Sequence, residues 1–436
     1  MMVLARKALI GAGALALSAV PALALDIQDL ESPAGQSFWL VQEPSVPIVA
    51  VEIGFEGGSN LDPAGLEGIG RFTMGMMNEG SGTLDAVAYA KAVDDVSARI
   101  GFDIGRDGTE VSGRFLTDTL DEGIALMALA LSEPRFDADP IERVRNQILS
   151  GLRQNETDPD KIAGREWFAA AYPGHPYGRP SEGTPDSIGA VAADDLRAAH
   201  QRLLTRSNAS VAIVGDIDPA RAGAIVDTLL AGLPDGAPIT VPSARTAPPP
   251  GVVVIEQDVP QSVAIFGHVG LERDDPDFIT AYVMNYILGG GGFSSRLTEE
   301  VREKRGLAYS VYSYLIARDG GSLYMGGVQT ANERIAESIE VIRGEWARMA
   351  SGDITESDLA KAKTYLTGSF PLRFDSNSKI ANYLLFVQRE DLGIDYIDIR
   401  NGLIDAVTLE DINRVAARVL QPDALSVVVV GKPVGL

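Results

Sequence analysis

His175, His200 and His268 are the only histidines in the chain, and histidine is the side chain best suited to moving protons or holding zinc near neutral pH. No two of them form a compact pair with metal-ligand spacing. A mixed site with carboxylates would have to gather them from distant segments. His175 lies in the turn-rich stretch YPGHPYG, His200 ends an amphipathic helical pattern, and His268 follows an apolar strand-like run, so structural roles are expected for all three. There is no cysteine, which excludes disulfides, thiolate metal sites and cysteine nucleophiles. Ser294 and Ser295 sit outside any Gly-x-Ser-x-Gly nucleophile elbow. Asp94, Asp95 and Asp103 invite a paired-carboxylate reading, but carboxylates at such spacings usually face solvent. Met74, Met76 and Met77 read as helix core or partner surface rather than as a cofactor site.

The most distinctive segment is YILGGGGFSSRLTEEVREKRGLAYSVY, residues 286–312. Gly289, Gly290, Gly291 and Gly292 permit unusual backbone angles and close approach by another chain. Phe-Ser-Ser follows them where a phosphate loop needs Gly-Lys-Ser/Thr, and the spacing is not that of a dinucleotide fingerprint. Ser294, Ser295 or Thr298 is placed to cap a helix carrying Glu299, Glu300 and Arg302.

The elements that hold these residues come in two similar series. Strand patterns at 37–42 and 46–53 precede helical patterns at 68–78 and 84–98, a hairpin at 101–116, and helices at 120–131 and 140–156. The series closes with a helix at 192–204, a strand at 209–214 and a helix at 219–230. After the proline-rich stretch LPDGAPITVPSARTAPPPG, strands at 251–255 and 262–266 open a second series. Helices at 277–288 and 297–305, a hairpin at 308–328, and helices at 331–350, 355–368, 378–390 and 408–419 lead to a last strand at 425–430. Both series run helix, polar turn, β-branched strand near their ends, as NASVAIVGD and DALSVVVVGK. Duplication of one α+β module accounts for that order, and the hairpins argue against a doubly wound nucleotide fold. The expected division is 25–235, a linker at 236–250, and 251–436.

The segment GGGGFSSRLTEEVREKRGLAYSVYS resembles the C-terminal signature of the pitrilysin-type (M16) zinc metallopeptidases, in particular their two-domain bacterial branch. That resemblance implies two homologous α/β-sandwich modules forming half of a clamshell around extended peptides. It also implies that Arg302 and Tyr309 contact the substrate backbone, the one with a fixed fork of donors and the other with a phenol. Lys304 and Arg305 read as surface or salt-bridge residues.

Active members carry His-x-x-Glu-His on a first-module helix and a distant Glu as third ligand. This chain has no such motif. On the match of GIGRFTMGMMNEG to that helix, the histidine positions fall on Arg71 and Gly75, the catalytic Glu position on Met74, and the distant ligand on Gly151. The implied role is a noncatalytic, substrate-positioning subunit that binds no metal itself. A homologous partner bearing His-x-x-Glu-His would supply zinc and the general base. The alternatives are a peptide-binding or assembly protein without hydrolysis, and an independent peptidase with a nonstandard site.

Residues 1–24 combine Arg6 and Lys7, an apolar run and Ala22-Leu23-Ala24, the pattern of a cleaved export signal, with the periplasm as expected destination and no stable membrane anchor. The net charge of −23 repels nucleic acid.

Overall fold

The computed structural model describes residues 25–244 and 248–436. The signal-like segment 1–24 and part of the 236–250 linker lie outside the described residues. Strands β1 to β6 are Ile27–Glu31, Ser37–Gln42, Ile48–Glu56, Arg99–Ile104, Gly108–Leu116 and Ala209–Gly215. They form one sheet in the order β1-β2-β6-β3-β5-β4, antiparallel except where β2 meets β6. Strands β7 to β11 are Gly251–Glu256, Gln261–Val269, Ser310–Ile316, Leu323–Ala331 and Ser426–Gly431. The second sheet runs β9-β10-β8-β11-β7, and its one parallel pair is β11 with β7. Strand for strand, β7, β11, β8, β10 and β9 take the places of β2, β6, β3, β5 and β4. Among the described residues the second sheet has no counterpart of β1. These are the two α/β sandwich modules that the resemblance implies, in the repeated order read from the sequence.

One face of each sheet packs on helices of its own series, and period-two alternation supplies the apolar side. Leu40, Val51, Ile53 and Ile213 turn towards the helices Leu120–Ser132 and Pro219–Leu230. In the second module Phe266, Val427 and Val429 turn towards Phe278–Asn285, Ile335–Ala350 and Leu409–Val419.

The opposite faces are covered by exchange. Four helices matter here: α1 (Ile69–Met76), α2 (Ala138–Asn155), α3 (Pro159–Ala171) and α4 (Asn377–Arg389). Helix α3 belongs to the first series but lays Ile162, Ala163 and Trp167 on Val263, Met325 and Val428 of the second sheet. Helix α4 belongs to the second series but lays Ile380, Ala381 and Leu384 on Ala50, Ala212 and Val214 of the first. Each borrowed helix is also pinned to backbone. Trp167 Nε1 donates to the Ser426 carbonyl at 3.2 Å, and Asn377 Nδ2 to the Ile48 carbonyl at 3.0 Å. A glycine lets each helix sit close. A Cβ at Gly54 of β3 would stand 2.8 Å from Arg389 Cδ, and one at Gly267 of β8 would stand 2.9 Å from Trp167 Cζ2.

Two positions before each glycine the modules diverge. The second carries Ile265 in its apolar layer. The first carries Glu52, buried between Ala50 and Gly54 under α4. Burial, with the nearby Glu110, pushes the Glu52 carboxyl up to about 8. Glu110 is itself held by Arg389 of α4 at 2.5 Å. Between its ordinary value and about 8, the folded chain keeps a proton that the unfolded chain has released, so stability falls as pH rises through that window. The Glu52→Gln variant is expected to match the parent at pH 4 and to gain about 2 kcal/mol at pH 8.5, read from urea unfolding. A gain of the same size at both pH values would contradict this.

Among the described residues no helix is long and apolar enough to cross a membrane.

Candidate functional site

Helix α1 starts at Gly68, whose φ of +85° is open to glycine and strained for other residues. A Cβ there would also stand 2.7 Å from the Glu182 carbonyl. The first amides of the helix are met by Asp62, which accepts from Gly68 N at 2.8 Å and Gly70 N at 3.1 Å. Burial nevertheless pushes the Asp62 carboxyl up to about 6.

From that anchored start, Arg71, Met74, Gly75 and Asn78 follow one another at helical spacing and line one wall of a cleft. Val144, Gln147, Ile148 and Gly151 of α2 form the facing wall, and Phe102 to Ile104 of the edge strand β4 close one side. The cleft measures about 560 Å³. The structure therefore brings Arg71, Met74, Gly75 and Gly151 together in one place. Arg71, Gly75 and Gly151 are exposed there, and Met74 is buried. These groups do not fit zinc. A guanidinium repels a dication, and a thioether and two glycines offer no hard donor. Among the described residues no group of three His, Asp or Glu is gathered that could hold a metal.

The second site lies beside β9, the counterpart of β4. The helix expected at 277–288 ends at Asn285 and continues as a wider π turn, Tyr286–Gly290. The glycine run packs on the chain itself. A Cβ at Gly289 would stand 2.4 Å from Ser313 Oγ of β9, and one at Gly290 would stand 2.6 Å from Asn285 Nδ2. Close approach does require glycine here, but the approaching groups belong to this chain. Gly291 winds tightly under Ser294 Oγ, which donates to its carbonyl at 2.8 Å, and Gly292 takes φ +54°. Of the proposed caps, Ser295 performs the role, accepting from Thr298 N at 3.4 Å.

Arg302 rises from a second π turn, Thr298–Glu303, where a regular helix was expected. Its Cζ lies 4.7 Å from the ring centre of Tyr309 and 4.7 Å from that of Phe293. Tyr309 is 81% exposed and Phe293 75%, so both rings stand in solvent, and Arg302 and Tyr309 line a cleft of about 630 Å³. Lys304 and Arg305 turn away to Glu300, at 2.6 and 2.5 Å, and hold its carboxyl below the usual range.

Phe293 escaped sequence reasoning, as did Arg334 on the cleft wall. The available signal for Phe293 was a large aromatic side chain set inside a Gly/Ser run. The histidines are structural. His175 accepts from Tyr177 N at 3.2 Å and reaches the Pro242 carbonyl at 2.8 Å. His200 meets the Leu131 carbonyl at 2.7 Å. His268 lies between the Val269 carbonyl and Trp346 Nε1, which donates to its Nε2 at 3.1 Å. Burial pushes both His200 and His268 below the usual imidazole range.

Comparison with known proteins agrees with this architecture. Residues 38–185 match the family model described as insulinase (peptidase family M16), and 190–366 match the peptidase M16 inactive domain. An uncharacterized zinc protease of Mycobacterium leprae is 30% identical over 387 residues, covering 86% of this chain and 85% of its own. The non-peptidase homolog YmxG of Helicobacter pylori is 26% identical over 369 residues, 84% of this chain and 85% of its own. The crystal structure of a peptidase M16 inactive domain from Pseudomonas fluorescens gives a TM-score of 0.89 at 29% identity, covering 94% of this chain and 99% of that one. With both modules matched in order and no His-x-x-Glu-His anywhere in the sequence, the chain belongs to the M16 (pitrilysin) peptidase family, in its non-catalytic branch.

Proposed function

We propose that the chain is the substrate-positioning subunit of a heteromeric periplasmic M16-type metallopeptidase acting on peptides. A homologous partner with His-x-x-Glu-His supplies zinc and the general base. The observation that carries this reading is the contrast between the two clefts. One has Arg71, Met74, Gly75 and Gly151 where ligands would be needed. The other keeps a half-buried Arg302 beside an exposed Tyr309. A guanidinium and a phenol side by side can hold a peptide carbonyl and steady the negative charge that grows on it as the amide is attacked. The free edge of β9 next to them suits an extended chain.

Native purification from the source cells should recover a second M16 chain carrying zinc, with hydrolysis of an unstructured peptide lost when the two are separated. In that assembly Arg302→Ala is expected to lower kcat/KM about 100-fold and Tyr309→Phe about 10-fold, with circular dichroism unchanged. Unchanged hydrolysis by a well-folded variant complex would remove the proposed role. A second reading, peptide binding or assembly without hydrolysis, is favoured by the likeness to a relative named a non-peptidase homolog. Recovery of peptide-binding chains with no hydrolytic partner would select it.

A further inference from the structure

The sequence holds 60 acidic residues against 37 basic ones, yet the cleft beside β9 is lined by Arg302 and Arg334 with no Asp or Glu in its wall. Its other polar side chains are neutral, Gln261 and Gln329 among them. The way Arg302 is held narrows what it can bind. The Phe293 and Tyr309 ring centres each lie 4.7 Å from its Cζ, so two aromatic rings crowd the guanidinium and its N–H donors are what a ligand can pair with. A guanidinium edge offers parallel N–H donors that match the two oxygens of a carboxylate. Glu303 lies 3.2 Å from Nε and is more than half exposed, and such a surface pair contributes little and yields readily to a competitor. Arg334 is fixed at the cleft through its Nη1, which donates to the Gly306 carbonyl at 2.5 Å. Its other guanidinium nitrogens have no hydrogen-bond partner among the described residues.

We propose that this cleft selects peptides by a carboxylate, which Arg302 and Arg334 receive together while the Phe293 ring steadies Arg302. The inference rests on the reading of this wall as a peptide contact and adds the charge of the peptide. The rest of the surface reinforces the choice. A net charge of −23 repels polyanions at long range, so one acidic group in an otherwise neutral or basic peptide is favoured over an acidic tract. Phe293 is a positioning residue, because its ring lies against Arg302 while the two arginines pair with the carboxylate.

The test uses the protein as purified from its cells and three fluorescent decapeptides of otherwise identical sequence. One has a central Glu and an amidated C-terminus, one a central Gln and an amidated C-terminus, and one a central Gln and a free C-terminal carboxylate. Anisotropy titration should show the Glu peptide binding about 10-fold more tightly than the amidated Gln peptide. That preference should vanish in Arg334→Gln, persist in part in Arg334→Lys, and shrink in Phe293→Ala while the amidated Gln peptide binds as before. Preference for the free-acid peptide instead would uphold the carboxylate site and assign it to a chain terminus. Equal binding of all three would overturn the proposal and leave the peptide contact standing. Binding of none would overturn both.

Discussion

A quadruple variant, Arg71→His, Met74→Glu, Gly75→His and Gly151→Glu, is expected to hold one zinc per chain where the parent retains none. The cleft already has the spacing and the space. Positions 71, 74 and 75 share one face of α1, and 151 faces them from α2. A Cβ at Gly151 meets nothing within 4 Å, and one at Gly75 meets only Val144 Cγ1, at the ordinary contact distance of 3.5 Å. Nothing in the surroundings of Gly151 calls for glycine. It is an exposed residue inside an 18-residue helix, a place where glycine costs about 1 kcal/mol relative to alanine. Met74 is the expensive position, since it is only 3% exposed and packs in the main core of its module. The triple variant that keeps Met74 therefore separates ligation from proton transfer: it should bind zinc and hydrolyse nothing. Metal analysis after dialysis against a weak chelator reads the result. A folded quadruple variant with no more zinc than the parent would show that these four positions do not correspond to the ligands and base of active relatives.

Trp167→Ala is expected to destabilise the protein by about 4 kcal/mol. The ring is fully buried between α3 and the second sheet. Its loss opens a cavity there and leaves the Ser426 carbonyl, now served by the indole at 3.2 Å, without that donor. Because α3 belongs to the first series and its seat to the second, the loss falls on the contact between modules. Urea unfolding followed by both tryptophan fluorescence and circular dichroism measures it. A loss below about 1 kcal/mol would mean that α3 covers the sheet without holding it.

Much of the fold was legible because strands covered on both faces announce themselves as short, unbroken apolar runs, as in SFWLVQ and ASVAIVG. Strand β1 was not. IQDLE has too few apolar residues to alternate, being half-buried at a sheet edge. Helix α3 was missed for a local reason: Asp158-Pro159-Asp160 reads as a turn, whereas Asp158 caps the helix and Pro159 opens it. The helix Tyr396–Ala406 also went unread. Helix α4 was visible as a helix, but its seat on the first sheet was not, since periodicity reports which face is apolar and never what covers it. The four cleft positions and the Arg302–Tyr309 pair came from resemblance. Their spacing alone, seven residues across a turn, carries no geometric instruction. Phe293 belongs to neither source, because its exposed ring meets Arg302 across a loop.

The exchange of α3 and α4 sets the order in which this molecule can be finished. A ribosome that has completed the first sheet has not yet made the helix that covers it; Asn377 reaches back 329 positions to Ile48. Closing so long a loop comes late, after the short-range hairpins have formed. Until then Trp39, Ala50 and Val214 lie open, a surface that invites neighbouring chains. A nascent chain released before α4 also lacks β11, the strand between β8 and β7. Premature release therefore yields one uncovered sheet and one unfinished sheet instead of one complete module and a stub.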